Sequence, residues 1–347
     1  MAPSTITTAL THPLARWTRG AAQVTAMDRE ASFSSDLPKD ADFVPVFSAR
    51  TFQYGDVVLV RERRDKTRVR LIGPLTPEGA VGNSRGQMNH SALVGKSPRD
   101  KVDFPNGQPG YILHEPSLEE YTLLAGRHCT PVYPKDASAI VSLLGIHPGD
   151  RVLDAGTGNG ALALHLALYA RPEEGSVGPC IHTVERREDH HRLAKKFVAG
   201  YRRGLLSPHI AFHQGMLSEI LPTLPVPFDA AVLDLPDAHL QLQYLAPMVK
   251  PDGHVLCYVP HMSQVMECVH AGQESGMGMD RVVEVGWREW EVGRTRVRTQ
   301  GEGDSGAGVW MCRPEHRPAG HTGFLVLLHN RRHAPKGSGD EEERMKR

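Results

Sequence analysis

Beyond residue 150 the apolar positions fall into short unbroken runs that alternate with longer stretches of helical period. Arg151-Val152-Leu153-Asp154 reads as a short buried strand, and Ala161 to Ala167 as a helix with small apolar residues at its start. A strand over Cys180 to Val184 ends in Glu185, a helix covers Arg187 to Gly200, and a further strand lies near Ile210-Ala211-Phe212. Phe228 to Leu233 is another buried run, ending in Asp234-Leu235-Pro236. A helix then leads to the turn Lys250-Pro251-Asp252-Gly253 and a strand over Val255 to Val259. Two late strands are predicted, one over Arg281 to Val292 and one over Gly323 to Leu328. Strands alternating with helices specify an α/β fold, a doubly wound and mostly parallel sheet of the Rossmann-like kind, across residues 111–330. Upstream the period changes. From Asp42 to Pro109, runs such as Val44 to Phe47, Asp56 to Val60 and Arg68 to Ile72 are separated by Gly, Pro and Asn. They predict a small N-terminal β domain, residues 41–110, of roughly five short strands. Between the two regions, Ser117 and Glu120 have capping-box spacing. Tyr133 to Leu144 forms a helix with Asp136 as its expected N-cap and Ile140, Val141 and Leu144 facing a core.

The first buried strand runs into Asp154-Ala155-Gly156-Thr157-Gly158-Asn159-Gly160. Glycines at alternate positions let the backbone take positive φ and let a ligand lie against the main chain. The free N–H groups at the next helix start face that ligand. Asp154 stands at the carboxyl end of the strand, where open α/β sheets bind ligands. The pattern is neither the G-x-G-x-x-G of dinucleotide folds nor a Walker loop, which needs a Lys-Ser/Thr pair. A glycine turn in another α/β protein remains open at this level. The loop resembles the cofactor loop of class I S-adenosylmethionine-dependent methyltransferases, in which Asp154, Gly156, Thr157, Gly158, Gly160 and Ala161 would bind the cofactor. Glu185, at the end of the next strand, has the place of a ribose-binding acid.

Composition narrows the field. The chain has 347 residues, 40% of them hydrophobic and 23% charged, enough for two domains and a sizeable core. Lys plus Arg and Asp plus Glu both number 40, so a nucleic-acid partner must meet a local basic patch, not a global field. The five cysteines include no C-x-x-C pair, which argues for a reduced compartment with neither a disulfide frame nor a metal site. The longest apolar runs are strand-sized, which predicts no membrane span. Residues 1–27 contain no acid, carry Arg16 and Arg19, and are rich in Ser and Thr. That is the composition of a mitochondrial transit peptide, with an ordinary disordered N-terminus as the other reading of residues 1–40. The Gly-rich stretch 299–307 reads as a flexible insertion, and the charged tail 331–347 as disordered.

Read together, several motifs are more specific than the glycine loop. Tyr133-Pro134-Lys135-Asp136, Asp154-x-Gly-x-Gly-x-Gly, Glu185, Asp234-Leu235-Pro236 and Gly320-His321-Thr322-Gly323-Phe324 resemble the catalytic-subunit family of tRNA (adenine-N1)-methyltransferases, the TrmI-like proteins. Pro116-Ser117-Leu118-Glu119-Glu120-Tyr121 is similar to that family's Pro-Thr-x-Glu-Asp-Tyr segment. The resemblance spans 42–330. It implies S-adenosylmethionine as methyl donor and N1 of a T-loop adenosine of tRNA, position 58, as acceptor. It also implies a homotetramer, or a catalytic chain paired with a non-catalytic relative. Two residues depart from the family's pattern: Thr130 stands where Gln is usual, and Gly215 where an Asp is usual near the cofactor adenine.

Adenine N1 carries a lone pair and attacks a sulfonium methyl without a protein nucleophile. A carboxylate near the exocyclic amine, in a dry pocket, stabilises the positive charge that develops on the ring. Asp234 has the right type and place for that role and for cofactor contact; a turn carboxylate before Pro236 is the competing reading. Tyr133 is a candidate to stack on or hydrogen-bond the base, or else a core tyrosine. His321 is a third catalytic candidate, or a packing residue at a strand start. His190 and His191 are expected on a solvated helix face. Arg294, Arg296, Arg298, Arg313 and Arg317 are candidates for phosphate contacts, or a solvated loop.

Overall fold

The computed structural model describes residues 50–65, 67–126, 128–172, 178–295, 309–315 and 320–332. The acid-free start, the strand expected over Val44 to Phe47, the Gly-rich insertion 299–307 and the tail from residue 333 lie outside them.

The small β region is built from β1 (Val58–Glu62), β2 (Val69–Ile72), β3 (Ala80–Asn83), β4 (Gly86–Asn89), β5 (Lys101–Val102) and β6 (Tyr111–His114). Four of these form an antiparallel sheet in the order β2-β1-β6-β5, and β3 pairs with β4 as a separate hairpin. β6 lies beyond the boundary read at residue 110, because Tyr111 and Leu113 alternate with half-buried neighbours and supply part of the sheet's own core. That core holds Phe52, Val58, Val60, Leu75, Met88 and Phe104. Buried Asp56 accepts ion pairs from Arg50 and from Arg203 of the following region, which fastens one part to the other.

α1 (Leu118–Leu124) starts with the expected capping box between Ser117 and Glu120, worth about 1 kcal/mol. Tyr121 anchors it: the hydroxyl donates to the Phe197 carbonyl at 2.8 Å, and the ring packs on Phe197 and Tyr201. α2 (Pro134–Leu144) presents Ile140, Val141 and Leu144 to the core, and Gly145 ends it in the left-handed conformation. The N-cap of α2 is Tyr133, not Asp136. Pro134 takes the first helical position, where its missing N–H costs nothing, and Asp136 is turned into the interior.

The main sheet follows: β7 (Val152–Ala155), α3 (Ala161–Ala170), β8 (Ile181–Glu185), α4 (Glu188–Gly200), β9 (Ile210–Gln214), α5 (Leu217–Ile220), β10 (Phe228–Leu233), α6 (Ala238–Leu245), β11 (Val249–Val259), α7 (Met262–Glu274), β12 (Met277–Glu284), β13 (Trp290–Thr295), β14 (Val309–Pro314) and β15 (Phe324–Asn330). The seven-stranded order is β12-β15-β11-β10-β7-β8-β9. Strands β9, β8, β7, β10 and β11 are parallel, whereas β15 runs antiparallel between β11 and β12. Every residue of β7 is buried, as expected of a central parallel strand covered on both faces. One apolar core lies under α2, α3 and α4, and the other under α5, α6 and α7. The chain steps outward from β7 to β8 and β9, then returns to β10 on the other side. The switch point therefore opens between the carboxyl ends of β7 and β10.

Two expectations change here. The turn at Lys250 to Gly253 is an irregularity inside the long β11, with Asp252 at φ 68° and a register shift against β10. The single strand expected over Arg281 to Val292 is two strands. β12 stops at Glu284, and β13 belongs to a separate ribbon with β14, on which Trp290 and Trp310 are exposed. No helix among the described residues is long and apolar enough to cross a membrane.

Candidate active site

The loop after β7 is held by its own main chain. The Gly156 and Thr157 amides donate to the Val184 carbonyl at 2.9 and 3.2 Å, and the Gly160 amide to the Thr157 carbonyl at 2.8 Å. All three glycines have positive φ, at 97°, 55° and 87°, and each is needed for a different reason. A Cβ at Gly156 would stand 2.1 Å from the Asp234 carbonyl, so this glycine lets β7 and β10 approach. A Cβ at Gly160 would meet Val198 at 3.1 Å, which identifies this glycine as the α3–α4 contact. At Gly158 the nearest atom is Cys129 Sγ at 3.6 Å, so a longer side chain there would extend into the cavity beside it.

That cavity has a volume of about 300 Å³, and the ends of β7, β8 and β10 border it. Glu185 is buried at its wall. One carboxylate oxygen accepts from the Gly158 amide at 3.2 Å and the other from the Arg187 amide at 3.0 Å. Asp154 is fully buried and accepts from Thr183 Oγ1 at 2.7 Å; Thr183 in turn meets Thr157 Oγ1 at 2.6 Å. The other Asp154 oxygen has no hydrogen-bond partner among the described residues. Burial first, and then the charges of Asp234 and Glu185, push the Asp154 carboxyl up to about 7. Burial and the Glu185 charge push Asp234 up to about 7 as well. Solvent reaches Asp234 through the cavity, although protein surrounds it on nearly every other side.

Glu185 and Asp234 line the cavity, with Asp154 fully buried close by, and the three carboxylates repel one another; Arg187 lies 3.5 Å from Glu185, and Arg186 also borders the cavity. A ligand bearing a cation and hydroxyls relieves that repulsion. S-adenosylmethionine has a sulfonium, an ammonium and two ribose hydroxyls. The orphaned Asp154 oxygen, the open space at Gly158 and the three carboxylates fit it. Gln241 Oε1 on α6 also borders the cavity without a partner; a glutamine seven residues past Asp234 carried no signal in the sequence. Thr130, Gly215 and Met216 line the cavity too. A wider groove of about 800 Å³ runs between α6 and α7, and none of the site residues discussed above lines it.

The remaining candidates lie at different depths. Tyr133 is half-buried at the start of α2. His321 is exposed, with Nδ1 2.6 Å from Glu284 and Nε2 2.9 Å from the Pro260 carbonyl; Glu284 raises its pKa. His190 is not solvated as expected: it is buried, its Nδ1 accepts from Arg187 at 2.8 Å, and its ring meets His128 edge-on. The α4 turn that carries Arg187 toward Glu185 carries His190 inward with it. Arg313 pairs with Glu291 and Arg294 lies over Trp310, so both are engaged within the β13–β14 ribbon. Arg296, Arg298 and Arg317 lie outside the described residues.

A glycine loop between β7 and α3, an acid ending β8, and a sheet with one antiparallel strand inserted beside β11 define a class I S-adenosylmethionine-dependent methyltransferase fold. The fold matches a TrmI tRNA (m1A58) methyltransferase from Aquifex aeolicus, with TM-score 0.60 and 23% identity over 82% of this chain and 100% of that one. It also matches an O-methyltransferase from Thermotoga maritima, with TM-score 0.62 and 22% identity over 82% and 97%. Residues 110–308 match the family described as the tRNA methyltransferase complex GCD14 subunit. The chain is 36% identical to the tRNA (adenine(58)-N(1))-methyltransferase TrmI of Thermus thermophilus, over 78% of this chain and 95% of that protein. It is 26% identical to the catalytic subunit TRM61 of Candida albicans, over 72% and 74%. The chain belongs to the GCD14 tRNA methyltransferase family.

Proposed function

We propose that this protein methylates N1 of adenosine 58 in the T loop of tRNA, with S-adenosylmethionine as methyl donor. The observation that carries the reading is Asp234: a carboxylate with a raised pKa, at the end of the strand beside the glycine loop, in a chain whose relatives bear this activity in their names. S-adenosylmethionine, when bound, supplies an electrophilic methyl group. Asp154 and the Gly156–Gly160 loop would hold its charged and main-chain-facing parts, and Glu185 would accept from its ribose hydroxyls. Asp234 accepts a hydrogen bond from the adenine exocyclic amine, which grows more acidic as the ring gains positive charge, and later takes a proton from it. The protein that surrounds Asp234 on nearly every side but the cavity lowers the local dielectric and strengthens that interaction. Nucleoside mass spectrometry of T-loop RNA incubated with the protein and cofactor tests the reading. N1-methyladenosine at position 58 is expected; methylation of another base or none would overturn it.

Two further readings belong with it. The family resemblance supports either a homotetramer of this chain or its pairing with a non-catalytic relative; light scattering of the purified chain separates the two. The acid-free, Arg-bearing start supports import into mitochondria. A fluorescent protein fused after residues 1–40 is expected there, and a diffuse cytosolic signal would overturn the import reading.

A further inference from the structure

Lys135 and Asp136, both buried, and the half-buried Tyr258 and Thr322 form a closed network that the chemistry above does not use. Asp136 is fully buried and Lys135 is 7% exposed. An ammonium has three protons to donate, and here each has an acceptor: Asp136 Oδ1 at 2.8 Å, the Val285 carbonyl at 2.7 Å and Thr322 Oγ1 at 2.7 Å. Thr322 Oγ1 then donates to Asp136 Oδ2 at 2.8 Å, and the Tyr258 hydroxyl donates to the same oxygen at 3.1 Å. Gly323 belongs to this arrangement, since a Cβ there would stand 2.8 Å from the Tyr258 ring. Lys135 has no proton left for an RNA phosphate.

A buried ion pair is a weak means of stabilising a fold. Desolvation of the two charges offsets their attraction, and an apolar pair of similar volume does as well or better. What the network does supply is geometry. Apart from the Lys135–Asp136 contact, its hydrogen bonds link residues 122 to 187 positions apart, and they join the first turn of α2, the end of β11, the residue after β12 and the turn before β15. The same four places carry the acceptor-side candidates. Tyr133 caps α2, Pro260 and Glu284 hold His321, and His321 precedes Thr322. Leu233 of β10 pairs with Cys257 of β11, so Tyr258 stands on the strand beside Asp234, and β15, which Thr322 leads into, pairs with β11 on its other side.

We propose that Lys135, Asp136 and Thr322 are positioning residues, which hold the rim bearing Tyr133 and His321 in register with Asp234 without touching the acceptor adenosine. The proposal rests on the reading that the acceptor base enters beside Asp234.

Thr322→Val keeps the side-chain shape and removes the hydroxyl that both accepts and donates; Thr322→Ser keeps the hydroxyl. In the full-length protein with T-loop RNA, Thr322→Val should retain parent cofactor affinity by calorimetry. Its single-turnover rate at saturating RNA should fall about 10- to 100-fold, the scale of a misplacement near 1 Å. Thr322→Ser should bring the rate back near the parent's. A second variant, Lys135→Met with Asp136→Leu, should melt at or above the parent temperature and still be slow. Parent rates in Thr322→Val and in the double variant, with Asp234→Ala inactive, would overturn the positioning role alone. Failure of Thr322→Ser to restore the rate, or a rate loss that only follows lost cofactor affinity, would overturn it too. A parent rate in Asp234→Ala would instead overturn the acceptor reading beneath it.

Discussion

On the glycine-loop side of the cavity, polar atoms are left without partners; on the side of α2 and β15 the hydrogen-bond network is closed. Asp154 and Gln241 each keep an oxygen with no acceptor role among the described residues, and three carboxylates crowd together. Across from them, Lys135, Asp136, Thr322 and Tyr258 consume one another's donors and acceptors. An unpaired buried polar atom costs roughly 1–3 kcal/mol, and other such atoms, at Thr122 and Ser207 for example, lie away from the cavity. What sets the glycine-loop side apart is that its unpaired oxygens stand with crowded carboxylates at a cavity a ligand can enter. The satisfied network has nothing left for a ligand and serves as frame.

The strongest test of this contrast is Asp234, which sits where the two sides meet. Asp234→Ala should lower single-turnover methylation at saturating cofactor by about 10²- to 10⁴-fold, with a smaller loss of cofactor affinity, since a carboxylate that a bound cation favours must in turn favour the cation. Asp234→Asn should also lose activity, because an amide carbonyl is a poorer acceptor and carries no charge. A turn carboxylate would give the reverse: lower melting temperature, with near-normal turnover in the folded fraction.

Next come the glycines, which split the loop's two duties. Gly158→Leu should fold normally and show no cofactor binding by calorimetry, since its side chain extends into the cavity. Gly156→Ala should fail earlier, in folding, because its Cβ meets the Asp234 carbonyl at 2.1 Å. If Gly158→Leu bound cofactor like the parent, the ligand would not lie against this loop.

A smaller effect follows from titration. With Asp234 at about 7 in the free protein and the carboxylate as the working form, kcat/KM should rise about tenfold per pH unit below 7 and level off above it. A bound sulfonium favours the carboxylate, so the midpoint in kcat should lie lower. A flat profile between roughly pH 5.5 and 8 would remove Asp234 from the proton's path.

The smallest effect is on stability. The Asp154 carboxyl titrates at about 7 when folded, against 3.8 for the ordinary group. Between those values the folded chain binds the extra proton, so its stabilising share is complete below 3.8 and is lost as pH rises through 7. Asp154→Asn should therefore raise the cofactor-free melting temperature by roughly a few degrees at pH 8 and by less at pH 5, as calorimetry would record. Saturating cofactor should reverse the order, because only the carboxylate answers the cation.

Much of the binding side was legible in the chain itself, because local rules build it. β7, β10 and the helix after the glycine loop stand where the apolar runs put them. Asp154, the three glycines, Glu185 and Asp234 come together because each lies at or just past the carboxyl end of one of three neighbouring parallel strands, β8, β7 and β10. The late part of the chain was not legible in this way. Arg281 to Val292 reads as one run, yet β12 and β13 part at residue 285, since β15 inserts beside β12 and leaves β13 to pair with β14. Asp136 looked like a helix cap because its spacing from the apolar stripe suits one; its burial is decided by Thr322 and Tyr258, more than 120 residues away. His190 looked solvated because a helix face of charges suits solvent, and only Arg187 and His128 turned it inward. By itself, then, the sequence determined the alternation of strands and helices, the ligand loop and the acids at the strand ends, all consequences of period and backbone chemistry within some ten residues. Tertiary structure alone decided which polar groups are consumed and which are left open, because a side chain's partners are set by segments that meet only when the sheet closes.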